Sequence, residues 1–389
     1  MVSADALIAV RHTPLRWRWG AVGLTLGLVG WYGSRWLRTR PDLAEQGLAS
    51  GLHPVLVRGL SVLSGWIPVS LAEGVVALVA GLLLVGAIRG VGAARRTREP
   101  PLRLGLRGLL RVVGDAGVLF FAFQLLWGVQ YARPALEPRL GIPAVGEIPD
   151  DELIRLAEIF VERTNLLYLQ LHGEGDIGAP TPTAPRSEIG AALNEGWAGA
   201  VARWDLPVAM ASPRGAPKTF LLTRWVRRFG MTGMYMPFTG EALLMADLPG
   251  ATQLFTAAHE SAHQRGVARE SDANALGYLV SLETGDVRLR YAAALFLQRQ
   301  ALISLSGRDL DTTMDLVAQR LPGVQRDIEA IAERARSVAG RVRTVTTRAN
   351  DVMLRSQGIP EGVANYAGSL WIVAALAREY GTEALLPPL

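Results

Sequence analysis

Cysteine is missing from all 389 residues, which excludes disulfides, thiolate metal sites and cysteine nucleophiles. Histidine is scarce too, at five residues, so imidazole chemistry has few side chains to draw on. Charge is the third shortage. Asp, Glu, Lys and Arg make up 19% of the chain, against about 25% in ordinary soluble domains. Half of the residues are hydrophobic, so part of the apolar surface is expected to rest in lipid. The net charge of +5 comes mostly from arginines beside apolar runs near the N-terminus. That distribution sets membrane topology and argues against a nucleic-acid partner. There is no internal repeat and no low-complexity tract.

What is present begins with three apolar segments. The first, about residues 19–36 (WGAVGLTLGLVGWYGSRW), has aromatics at both ends, as a helix crossing two interfaces does. It is short beside the roughly 20 residues a span needs, and a cleaved signal peptide competes with it. No small-x-small cleavage site follows closely, so a retained helix is expected. The second segment covers 69–88, with Glu73 its only charge. The third covers about 109–131 and ends in FFAFQLLWGVQYARP. It carries Arg111 and Asp115 one turn apart, expected to neutralise each other at the interface.

Arginines crowd the stretch from Arg89 to Arg111, between the second and third segments, which places that loop in the cytoplasm. The expectation is a multi-pass protein of the cytoplasmic (inner) membrane, with the lipid bilayer as partner and the chain after the third span outside the cytoplasm. Arg35, Arg38, Arg40 and Arg58, between the first two segments, weaken that asymmetry.

A Pro/Gly-rich linker over 134–149 separates this membrane anchor, 1–133, from a domain over 150–389. The domain reads as mainly α. DDELIRLAEIFVERTNLLYLQL opens with acids and has helical apolar spacing. GMYMPFTGEALLMADLPG reads as an extended piece whose proline suits an edge strand, giving a small edge-stranded sheet in a mostly helical α+β domain. Ile328, Ile331, Ala335, Val338, Val342 and Val345 mark one long amphipathic helix with a packing face.

The chemistry is concentrated in FTAAHESAHQRGVARESDAN, residues 255–274. HESAH is an H-E-x-x-H match, rare by chance in so histidine-poor a chain. On a helix His259 and His263 share a face and can offer nitrogens to one ion. Glu260 then serves as general base toward a zinc-acidified water attacking a carbonyl. Gly266 can end the helix in a left-handed turn, bringing Glu270 or its rival Asp272 to the ion as third ligand. The acid left over can accept an imidazole N–H. A metzincin would have its third histidine where Arg269 stands, so that pattern is rejected. The competing account keeps both histidines as hydrogen-bonded structural residues and both acids as solvated helix openers. Phe238, Thr239, Gly240 and Glu241 are the expected edge strand beside the helix, where a substrate backbone can pair.

Four stretches carry a family resemblance: HESAHQRGVARESDANALGYL, PFTGEA, WGVQYARP and NDVMLRSQGIPEGVANYAGSL. Together, and over nearly the whole chain, they resemble a bacterial membrane family known as domain of unknown function 3810, with zincin-like features. ESDAN is also similar to the E-x-x-A-[DN] signature of membrane-bound zinc peptidases, whose glutamate is a zinc ligand. The resemblance implies Glu270 over Asp272 as third ligand, with Asp272 and Asn274 behind the ligands. It implies a zincin-like metallopeptidase fold holding Zn2+, and no particular substrate. For an oxyanion donor the candidate is Tyr366, with Asn365 and Tyr291 as rivals, while His172 reads as exposed. The expected function is a membrane-anchored zinc peptidase acting on a protein or peptide. The alternative is a non-catalytic, zinc-stabilised membrane module for binding or assembly.

Overall fold

Glycine spacing decides how the first helix packs. The computed structural model describes residues 17–97, 100–144 and 146–386. Its N-terminal helices are α1 (Trp17–Arg38), α2 (His53–Gly65), α3 (Leu71–Thr97) and α4 (Pro101–Leu126). α1 runs along α4, with Gly23, Gly114 and Gly117 at the crossing, where a Cβ on Gly117 would overlap the Gly23 carbonyl. Small residues let helix backbones approach this closely. Asp115 sits at the same contact, accepting from Trp19 Nε1 at 2.9 Å and lying 3.5 Å from Arg111 Nε. The expected Arg–Asp pair is therefore present, with an indole as third member.

Among the described residues two stretches are long and apolar enough to cross a membrane, Leu71–Gly92 in α3 and Pro101–Leu126, with little of either covered by protein. α1 has the length expected of a first span but is not one of the two. The third apolar helix starts earlier than expected and ends at Leu126, not near 131. Residues 127–132 turn inward instead: Trp127, Val129 and Tyr131 are buried. Trp127 and Tyr131 join a small cluster with Tyr235, Leu354 and Ile359. Burial of two aromatic rings outweighs one more helical turn.

The stretch between the first two apolar helices, expected as a loop, forms α2 and packs on the domain that follows. Ser61 Oγ accepts from Gly215 N–H (3.0 Å) and Gln264 Nε2 (3.1 Å). The C-terminal ends of α1 and α4 and the N-terminal end of α3 meet that domain. Arg38, at the end of α1, donates to Ser356 O (3.3 Å) and Gln357 Oε1 (3.0 Å). The first two N–H groups of α3 donate to the Glu241 carboxylate (3.0 and 2.8 Å). α4 leads directly into Trp127.

The domain proper has helices α5 (Asp150–His172) and α6 (Arg186–Arg203), then a three-stranded sheet of β1 (Lys218–Thr219), β2 (Gly233–Met236) and β3 (Glu241–Leu244). β3 is central, parallel to β1 and antiparallel to β2, with Gly233 opposite Leu244 and Met236 opposite Glu241. Helices α7 (Gly250–His263), α8 (Glu270–Leu282), α9 (Val287–Ser306), α10 (Leu310–Ala318), α11 (Pro322–Ser337), α12 (Arg341–Ser356) and α13 (Gly368–Tyr380) follow. α8 is buried along its whole length, as its nearly all-round apolar sequence ALGYLVSL requires, and α6, α7, α9 and α13 surround it. The single long amphipathic helix expected over 328–345 is two helices, α11 and α12, broken at residues 338–340. The break turns Thr346, Asn350 and Met353 of α12 toward the cleft described next.

Candidate metal centre

His263 follows His259 by four positions on α7, just over one helical turn, so the two rings share one face, edge to face with centroids 4.6 Å apart. Their outer nitrogens are fixed first. His259 Nδ1 lies 2.8 Å from Asn274 Oδ1, and His263 Nδ1 lies 2.6 Å from the Val267 carbonyl. Both partners are acceptors, so both Nδ1 atoms carry the proton and both Nε2 atoms present lone pairs. The Nε2 atoms converge to 3.0 Å.

The chain returns to them through the turn the sequence predicts. Gly266 adopts φ +83°, a conformation glycine takes without strain, and its N–H donates to His263 O at 2.9 Å. α8 then starts at Glu270, whose Oε2 lies 3.2 Å from His259 Nε2 and 3.4 Å from His263 Nε2. A tetrahedral zinc bound at 2.0–2.1 Å sets its ligand atoms about 3.3 Å apart. These three donors match that spacing, and all lie within 4.8 Å of one another.

The electrostatics point the same way. Three electron-pair donors converge, and the buried oxygens Glu260 Oε2 and Glu270 Oε2 have no hydrogen-bond partner. Burial opposes charging the His263 ring, yet the Glu270 carboxylate outweighs it and raises the imidazole to about 9. The two imidazoles hold the Glu270 carboxyl well below the usual range although burial pushes it up. The constellation demands a positive charge, which a proton or a divalent cation can supply. The two-imidazole, one-carboxylate set fits zinc.

Glu260 is held beside this set without joining it. The backbone N–H of Tyr235 on β2 donates to it, and burial raises its carboxyl against the pull of both histidines. Gly233 makes room: a Cβ there would come within 2.7 Å of Glu260 Oε1. Trp127 stands edge-on to His263, ring centroids 5.6 Å apart, and packs on Tyr235 at 5.1 Å. The site forms part of the wall of a cleft of about 890 Å³, bounded by β2, α7, α9 and α12 and by Tyr366.

Tyr366, the expected oxyanion donor, reaches this cleft. Its hydroxyl interacts with Glu270 and Asn350, and burial together with the Glu270 charge keeps the phenol protonated well above its ordinary value. Its rivals have structural partners. Asn365 Oδ1 accepts from Ser271 N–H (3.1 Å) at the head of α8, and buried Tyr291 donates to Asp327 (2.7 Å). His172 is half-buried and stacks on Tyr168, centroids 4.3 Å apart, where the sequence suggested an exposed ring.

Two placements differ from expectation. Asp272 is neither a ligand nor an acceptor for His259. It accepts from Ser271 Oγ at 3.1 Å and lies in a separate pocket with Arg133, Arg139 and Arg269, where burial pushes its carboxyl up to about 7. The edge strand beside α7 is β2, not residues 238–241. Phe238 lines the cleft, but Thr239 donates to Glu241 (2.8 Å) and Gly240, at φ +68°, turns the hairpin against Leu60 and Ser61. Glu241 opens the central strand and is buried. Trp127, Tyr235 and Asn350 were missed. WGVQY carried the signal, since two aromatics just past an apolar run serve a buried site as readily as an interface.

Among the described residues, Asn274 is the side chain that holds His259 in its tautomer. Replacing it with Ala should weaken zinc binding by about 10–100-fold, read by chelator competition, with helical content unchanged. Unaltered affinity would remove it from the site.

No curated protein and no solved structure matches the chain. A family model described as "Protein of unknown function (DUF3810)" matches residues 49–371, most of the sequence. The chain belongs to that family.

Proposed function

We propose that this protein is a membrane-anchored, zinc-dependent peptidase. The observation that carries the reading is the convergence of His259 Nε2, His263 Nε2 and Glu270 Oε2 within 3.0–3.4 Å of one another, with an unpartnered Glu260 oxygen beside them. A zinc ion held there supplies Lewis acidity for a scissile carbonyl and for the attacking water.

The chain's own groups do the rest. Glu260, raised by burial and oriented by the Tyr235 N–H, takes the proton from the attacking water and passes it to the leaving amine. The Tyr366 hydroxyl donates a hydrogen bond to the carbonyl oxygen as charge builds there. The outer edge of β2, which has no strand partner among the described residues, lines the cleft and can pair with an extended peptide. Trp127, backed by Tyr235, covers one side of His263 and limits water there.

In this reading α1, α3 and α4 form a three-span anchor in the cytoplasmic membrane, with the domain outside the cytoplasm. Support comes from the C-terminal ends of α1 and α4 and the N-terminal end of α3 gripping the domain, and from the arginines between α3 and α4 at the opposite end of those two helices. The alternative, a zinc-stabilised module without chemistry, is disfavoured because the three donors line a cleft large enough for a peptide.

Purified protein should contain a single zinc and cleave members of a peptide library. Chelation should stop cleavage and zinc should restore it. Absence of bound zinc after reconstitution would sink the proposal.

A further inference from the structure

Soluble surfaces rarely set several large apolar side chains side by side, yet residues 220–229, FLLTRWVRRF, do so. Leu221 is 63% exposed, Leu222 54%, Trp225 61% and Phe229 44%. The segment is held in place: Thr223 Oγ1 donates to Phe220 O (2.8 Å) and accepts from Ala246 N–H (3.1 Å). Arg224, Arg227 and Arg228 are interspersed, and the Arg228 guanidinium lies 5.1 Å over the Trp225 ring.

Its position says what covers it. The N–H groups of Leu221 and Leu222 donate to the Glu73 carboxylate at 2.7 and 2.8 Å. Glu73 lies in the first turn of α3, whose apolar stretch Leu71–Gly92 has almost no protein cover. Just before α3, Trp66 (85% exposed), Ile67 and Val69 extend the same apolar surface. The patch is thus tied to the head of an apolar helix of spanning length.

We infer that residues 220–229 form a lipid-binding site of the globular domain, resting in the headgroup layer of an anionic bilayer. Leu221, Leu222, Trp225 and Phe229 enter the acyl boundary and Arg224 and Arg228 pair with headgroup phosphates, while Arg227 is held inward by Asp247 (3.4 Å) and Ser337 (2.9 Å). Tryptophan and arginine at this depth are what an interfacial segment requires, and cationic side chains near a membrane surface favour anionic lipid. Phe229, Gly230 and Met231 also line the cleft, so this contact sets one wall of the cleft at headgroup level. The inference rests on the membrane reading but not on zinc or hydrolysis.

The absence of native cysteine makes the test direct. Single substitutions Leu222→Cys and Trp225→Cys are spin-labelled in the full chain, reconstituted into phosphatidylcholine vesicles containing phosphatidylglycerol. Accessibility to oxygen and to a water-soluble nickel complex gives depth. Leu82→Cys in α3 and Leu310→Cys at the start of α10 are the references. Labels at 222 and 225 should be shielded from nickel severalfold relative to 310, and lie shallower than 82. Nickel access equal to that at 310, with 82 lipid-buried, overturns the inference while leaving the spans standing. Nickel access at 82 as well overturns the membrane reading and the inference with it. Dipolar broadening between labels at 222 would show that a second copy covers the patch, also overturning it. Depth unchanged in pure phosphatidylcholine would remove the role given to the arginines.

Discussion

Glu260→Gln should retain full zinc content and lose hydrolysis by about 10²–10⁴-fold. The side chain lies beside the metal donors without being one of them, and its Oε2 is buried with no partner. Glutamine has the same shape, so Tyr235 N–H keeps an acceptor, but an amide cannot take a proton. Burial raises the Glu260 carboxyl, so its charged form is costly in the folded state. Removing the ionisable group should therefore leave thermal stability at neutral pH equal or higher, which separates lost chemistry from lost folding. His263→Ala is the contrast, since it removes a metal donor and should abolish both zinc and activity. Residual hydrolysis by Glu260→Gln within a few-fold of wild type would show that another group acts as base.

The second large effect lies away from the metal. Lys218 Nζ donates to Glu241 Oε1 at 2.6 Å, and both side chains are buried. Lys218 also reaches the carbonyls of Ser64 (2.7 Å) and Val69 (3.2 Å), and Glu241 accepts the first two N–H groups of α3. Lys218→Met leaves that carboxylate inside without its ion partner, which should cost about 3–5 kcal/mol and lower Tm in detergent. Lys218→Met with Glu241→Met should recover much of the loss, because no unpaired charge then remains. Burial alone would raise the Glu241 carboxyl, but Lys218, the α3 N–H groups and Thr239 together bring it below its ordinary 4.5. A depressed folded value means this stability is present above 4.5 and disappears as pH falls through the folded value. The gap between wild type and Lys218→Met should therefore narrow in acid. Equal Tm at neutral pH would show that the pair carries no net stability.

The convergence of His259, His263 and Glu270 was legible because its geometry is local. Two histidines one turn apart, a glycine free to take positive φ and an acid opening the next helix occupy twelve consecutive residues, 259–270. Choosing between Glu270 and Asp272 needed more than spacing. Side chains two apart on a helix point roughly 200° apart, so one acid faces the histidines and the other faces away. Which one is decided by the arginine pocket made from Arg133 and Arg139, far off in sequence. The edge strand was misplaced for a related reason. GMYM and EALL form a symmetric hairpin on paper, and only the parallel pairing of the two-residue β1 with EALL makes that strand central. Trp127 was ambiguous because an aromatic past an apolar run fits an interface or a buried site, and only the distant Tyr235 and His263 resolve it.

The glycine-lined contact between α1 and α4 has a consequence for how the chain is made. Gly23 meets Gly114, so α1 leaves the ribosome 91 residues (114 − 23) ahead of its principal partner. At 5–20 residues per second it waits roughly 5–20 s, while α3, made in between, offers little contact. Until α4 arrives, the small-residue face of α1 is open to any other helix nearby. Pairing is thus set by order of synthesis as well as by fit, and shortening the 53–97 region would bring the two partners together sooner.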